Sequence, residues 1–213
     1  MGSAVRSSTN VVPLRSEQDS DVTKRVAIVD GALSCIAAKG LRATTVDDVA
    51  RASGMSRATL YRTIPGGRDA IIQATVETEV ARFFSSLAVA MGAASTLEAA
   101  LVAGITTSAS WISDSAALST LLEIEPWVVM RHISFGQMDR ALALAADFTG
   151  PFFGRWLEPE QAARAADWAV RIVTSYLANP SDTIDLTDGA QVRSLVRQFV
   201  LPGVQALQES KGS

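Results

Sequence analysis

The stretch TTVDDVARASGMSRATLYRTI, Thr44 to Ile64, constrains the fold more than any other part of the chain. It holds two helical patterns, each about two turns long, on either side of Gly54-Met55. Thr45, with Asp48 three residues on, can cap a helix Val46–Ser53 that turns Val46, Val49 and Ala50 inward, and Gly54 stops it. Ser56 caps a second helix that runs to about Thr63. Helices below about 12 residues are marginal in water, so both must be held from outside. The neighbouring segments offer the brace. A helix Val22–Lys39 places Val22, Val26, Val29, Leu33, Ile36 and Ala37 on one face, with Gly40 as its C-cap. Pro65-Gly66-Gly67 then breaks the chain before a long helix from Arg68 to about Met91.

Beyond Gly92 the periodicity predicts helices over Leu97–Ser113, Ser115–Glu123, Pro126–Ser134, Gln137–Leu157, Pro159–Ala178 and Gly189–Gln208. Sustained period-2 alternation is absent, so the fold class is all-α, with about nine helices. The expected division is an unstructured arm over 1–20, a helix-turn-helix domain over 21–67 and a larger helical domain over 68–213. The longest uncharged runs, Phe83–Leu97 and Ala99–Ser113, fall short of the roughly 18 residues that span a bilayer. The first twenty residues lack the apolar centre of a secretory signal, and Cys35 is the only cysteine. No disulfide can form within the chain, and a reducing cytoplasm is the expected location.

Charge gives the first functional clue. Residues 1–68 carry net +4 and residues 69–213 net −7, within a total of −3. A chain that offers one basic end to a polyanion has this distribution. In the second short helix Leu60 faces inward, leaving Arg57, Ala58, Thr59, Tyr61 and Arg62 exposed. This surface is cationic, small and able to hydrogen-bond, as a DNA major groove requires. Arg57 can address guanine O6 and N7, and Ala58 or Thr59 a thymine methyl. Thr45, Ser56, Tyr61 and Arg62 can bind phosphate, as can backbone N–H groups near Gly67 and Arg68 at the start of the long helix. An ordinary αα-corner with a solvated basic face is the alternative.

The segment from about Val26 to Ile72 resembles the amino-terminal domain of TetR-type (tetracycline repressor-like) transcriptional regulators. The resemblance rests on Ala32, Gly40, Leu41, Thr44, Thr45, Val46, Val49, Ala50, Gly54, Met55, Ser56, Thr59, Leu60, Tyr61 and the Pro65-Gly66-Gly67-Arg68-Asp69 entry to the long helix. Two positions depart. The family usually has His or Tyr followed by Phe where this chain has Thr63-Ile64; Ile64 can fill the apolar slot, whereas Thr63 removes a ring that often meets the DNA backbone. SYLANPSDTIDLTD, followed by FVLPG, looks like an actinobacterial version of the fold.

The resemblance implies a ligand-responsive regulator, usually a repressor, that binds a pseudo-palindromic operator as a homodimer and is released by a small effector. Dimer contacts are expected from the last two long helices, with Ala165, Ala169, Ile172 and Tyr176 on one and Val192, Leu195, Val196, Phe199 and Val200 on the other. These stripes can instead close the chain's own core. Phe83, Phe84, Leu87, Trp111, Trp127, Met130, His132, Phe135, Phe148 and Phe152 are the candidates for lining an apolar effector cavity. No metal-ligand spacing, phosphate-binding loop or nucleophile with a base partner is present in the sequence, so neither catalysis nor a cofactor is expected. A helical ligand-binding or interaction protein without specific DNA binding is the competing reading.

Overall fold

The computed structural model describes residues 15–127 and 138–204. These fold into nine α-helices and one π turn, with no strand among the described residues. The first helix, α1, spans Arg15–Lys39 and begins seven residues before its expected start. Its register also differs from expectation. Ile28, Val29, Ala32, Cys35 and Ile36 are buried, whereas Val22 is 63% and Val26 39% exposed. At this level the long helix Gly67–Gly92 meets α1 through an ion pair between Arg25 and Glu77, and the two valines lie on the solvent side.

The two short helices form where their local signals place them. In α2 (Val46–Ala52) Thr45 and Asp48 complete the capping box, each side chain serving the other's backbone N–H. In α3 (Arg57–Thr63) the Ser56 hydroxyl accepts from the Thr59 N–H at 3.1 Å. Gly54 adopts φ +67° in the turn between them, a left-handed conformation that costs glycine little. The helices are held by burial. Val49, Ala50, Leu60 and Ile64 join Ile28, Ala32 and Cys35 of α1 in one apolar cluster, with Ile71 and Ala74 from α4 (Gly67–Gly92). Leu60 is fully buried, and truncating such a side chain costs about 2–5 kcal/mol. Ile64, the departure from the family pattern, is 4% exposed and fills its slot.

A second cluster lies farther along α4. Met91 meets Leu101 and Ile105 of α5 (Leu97–Asp114), Phe153 of α7 (Met138–Phe153) and Ala166 of α8 (Pro159–Ala178). The last helix, α9 (Gly189–Leu195), runs directly into the π turn Val196–Val200. Val192, Val196, Val200 and Val204 are all buried. Side chains four apart on a straight α-helix drift by about 40° per step; the wider π turn takes up part of that drift and keeps this valine row facing inward. Helix α7 stops at Phe153, short of the expected Leu157, two residues after the internal Pro151. Helix α6 (Ala116–Ile124) crosses back onto α1, where the Thr120 hydroxyl donates to the Ala37 carbonyl at 2.7 Å.

Candidate functional site

On α3 the outward face carries Arg57, Ala58, Tyr61 and Arg62, all exposed, with Thr59 half-buried beside them. Tyr61 is 49% exposed and its ring lies close to Gly67. Arg62 has no ion-pair partner among the described residues. Arg57 differs from expectation, because its guanidinium pairs with the Asp47 carboxylate in the first turn of α2. The pair is solvent-exposed on both sides, so its strength is modest and a phosphate or a guanine edge can compete for the arginine.

The hydroxyls of Thr45 and Ser56 are already committed to capping. Thr45 also bonds the Asp48 carboxylate, and Ser56 the Thr59 hydroxyl. Lys39, then the Thr45 hydroxyl and N–H, hold the Asp48 carboxyl well below the usual carboxylate range. The Arg68 guanidinium turns two of its nitrogens inward. Its Nε donates to the Thr44 carbonyl at 2.8 Å and its Nη2 to the Leu41 carbonyl at 2.5 Å. The side chain braces the α1–α2 loop through these two bonds, while the backbone at Gly67 and Arg68 begins α4. Gly66 turns the chain into α4 with φ +113°, and a Cβ there would lie 2.8 Å from that of Ala70.

The same loop is gripped from the other side by Glu125, directly after α6. Glu125 is 4% exposed, its Oε1 accepts from the Arg42 N–H at 2.9 Å, and its Oε2 is buried without a hydrogen-bond partner. Sequence reasoning missed Glu125, Thr120 and the bracing role of Arg68, because each acts on a segment distant in the chain. The only signal was a pair of carboxylates, Glu123 and Glu125, in the otherwise apolar stretch LLEIEPW.

Farther along α4 lies an apolar cavity of about 320 Å³ among α4, α5, α7 and α8. Phe83, Phe84, Leu87 and Phe148 line it, as the sequence suggested. Phe84 and Phe148 pack with ring centroids 4.5 Å apart. Other expectations are corrected. Trp111 lines a separate, open cleft of about 780 Å³ between α1 and α4–α6, touching the cavity only through its edge contact with Phe83 at 6.0 Å. Phe152 packs behind Phe148 in the core and Trp127 is 51% exposed beside Arg42. Met130, His132 and Phe135 lie outside the described residues. The remaining wall is made by residues the sequence did not single out, among them Gly104, Ser108 and Thr174, and by Ala169, expected instead at a subunit contact.

The expected subunit contacts divide between the interior and the surface of this chain. Ala165, Val192, Val196 and Val200 are buried in this chain's own second cluster, and Ala169, Ile172, Tyr176 and Leu195 pack against it. Phe199 alone of this set stands out, 64% exposed.

Comparison with known proteins agrees with this architecture. Residues 28–74 match the family described as bacterial regulatory proteins, tetR family. An HTH-type transcriptional regulator of Mycobacterium tuberculosis, itself uncharacterised, is 30% identical over 160 residues, 74% of this chain and 73% of the relative. The crystal structure of AlkX, a TetR family repressor from Dietzia implicated in biodegradation of n-alkanes, superposes with a TM-score of 0.55 at 25% identity, covering 85% of this chain and 95% of AlkX. FadR from Bacillus subtilis, solved in complex with stearoyl-CoA, has the same TM-score at 15% identity, over 82% of this chain and 98% of FadR, and shares the fold. No helix among the described residues is long and apolar enough to cross a membrane. The chain belongs to the tetR family of bacterial regulatory proteins and is a DNA-binding transcriptional regulator.

Proposed function

We propose that this regulator is a repressor that binds a pseudo-palindromic operator as a homodimer and is released when a small lipophilic effector fills the 320 Å³ cavity. One observation carries the reading. A single uninterrupted helix, α4, starts beside Tyr61 of α3 and supplies Phe83, Phe84, Leu87 and Met91 to the cavity wall. A ligand that displaces the middle of α4 moves its start, and with it the braced corner that presents α3. The Glu125 and Thr120 contacts give α6 a second grip on the same corner.

In this reading residues 21–67 form the DNA-binding unit and 68–213 the effector and dimerisation unit. Ile71 and Ala74 tie the first turns of α4 to the DNA-binding side. Arg57, Ala58 and Thr59 address base edges, while Ser56, Tyr61, Arg62 and the amides at Gly67 and Arg68 contact phosphates; Thr45, both of whose donors serve Asp48, shapes the corner instead. The exposed side of α8, α9 and the π turn, centred on Phe199, meets its symmetry mate. Two copies of α3 about 34 Å apart then enter successive major-groove turns. The protein works by binding in the cytoplasm, with no catalytic step and no cofactor.

The energies are compatible. Moving the DNA-competent population from 99% to 1% needs about 5.5 kcal/mol of differential binding. Burying ten methylenes yields roughly 8 kcal/mol. Selection of bound sites from a random duplex pool tests the proposal. It predicts two inverted half-sites about one helical turn apart; recovery of no enriched sequence would refute it.

A further inference from the structure

The chemistry of the cavity wall narrows the effector class. Three hydroxyls, those of Ser108, Thr149 and Thr174, are among the described residues lining the cavity, and two of them already donate their protons within their own helices. Ser108 donates to the Gly104 carbonyl at 2.8 Å and Thr174 to the Val170 carbonyl at 2.7 Å, each one turn back on its own helix. Thr149 has an interaction of its own. A hydroxyl has one proton, so what Ser108 and Thr174 present to the cavity is lone pairs. No lysine, arginine or histidine lies among the described lining residues. The neighbouring open cleft is no more hospitable to an anion. Its described lining residues include Asp114 and Glu79, the latter paired with Arg82, and no basic side chain.

We infer that the effector is a neutral lipophile whose single polar group is a hydrogen-bond donor, such as a medium-chain alcohol, and not a carboxylate or an acyl thioester of a phosphate-bearing carrier. The inference rests on the cavity being the effector site. Acceptor lone pairs repel a carboxylate and satisfy an alcohol, and an anion buried without donors is strongly disfavoured. Size follows from volume. At 320 Å³ the cavity is about twice the roughly 150 Å³ apolar cavity that admits benzene, which sets the ligand near a dozen non-hydrogen atoms.

Isothermal titration calorimetry on the full chain with decanol, decanoate and decanoyl-CoA at pH 8 tests this. Decanol is expected to bind at least tenfold more tightly than either anion. Decanoate should gain about tenfold per pH unit between pH 8 and 6, because only the protonated acid offers an O–H donor. The S108A/T174V variant, which keeps side-chain shape, is expected to lose about fivefold or more on decanol. Decanoate or decanoyl-CoA binding as tightly as decanol would overturn the ligand class and leave the cavity as the effector site. An unchanged decanol affinity in the double variant would overturn the role of the two hydroxyls. If none of the three probes binds, the cavity assignment itself fails and the inference falls with it.

Discussion

Arg68 offers the sharpest test of how the DNA-binding corner is held. Its guanidinium joins the carbonyls of Leu41 and Thr44, more than twenty residues earlier in the chain, to the first turn of α4. A hydrogen bond from a charged group contributes about 1.5–3 kcal/mol. The side chain is 38% exposed, so water replaces part of what is lost and the low end of that range applies. Arg68→Met, which keeps the packed stem, is therefore expected to lose roughly 3 kcal/mol for the two bonds. Arg68→Lys should lose about half as much, because one ammonium cannot span two carbonyls in the fixed geometry of a guanidinium. Urea unfolding of the full chain, followed by circular dichroism and extrapolated to water, measures both. A loss below about 0.5 kcal/mol for Arg68→Met would place it with ordinary surface changes and refute the bracing role.

Two further outcomes follow from the charges around α2. Asp47→Ala frees Arg57, so nonspecific duplex should bind more tightly and the dependence of log affinity on log salt should steepen by about one; fluorescence anisotropy between about 50 and 200 mM salt reads this, and an unchanged slope contradicts it. Asp48 has a carboxyl held low by Lys39 and Thr45, so its stabilisation is complete above the unfolded value near pH 3.9 and drains as pH falls toward the lower folded value. The melting-temperature gap between wild type and Asp48→Asn should accordingly stay constant from pH 7 to about 4 and shrink below it; a gap already shrinking at pH 5 to 6 would rule out the depressed value.

The corner was legible in the sequence because its signals are local. Thr45 with Asp48, Ser56 with Thr59, and Gly54 and Gly66 each fix backbone within four residues of themselves, and the structure has them doing so. Contacts between elements were not legible. Nothing near Arg57 shows that α2 will set Asp47 against it, and nothing near Glu125 shows that α6 will end at the Arg42 amide. The cavity was half legible for a related reason. Large side chains such as Phe83, Phe84 and Phe148 advertise an apolar interior, but the space itself is lined by small residues of two helices, Gly104 and Ser108 of α5 and Ala169 of α8. An amphipathic stripe likewise shows that a face is buried without naming what buries it. The valine row of α9 and the π turn is satisfied inside its own chain, and Phe199 is what remains outside.

The central claim is that the exposed face of α3 lies against base edges, with Arg57 reading sequence and Arg62 holding the backbone. The direct measurement is the affinity of wild type, Arg57→Ala and Arg62→Ala for a selected operator and for unrelated duplex at several salt concentrations. Arg57→Ala is expected to lose about 1–3 kcal/mol of discrimination between the two, while Arg62→Ala weakens both alike and lowers the salt slope by about one. Full discrimination in Arg57→Ala, together with an unaltered slope in Arg62→Ala, would contradict the claim.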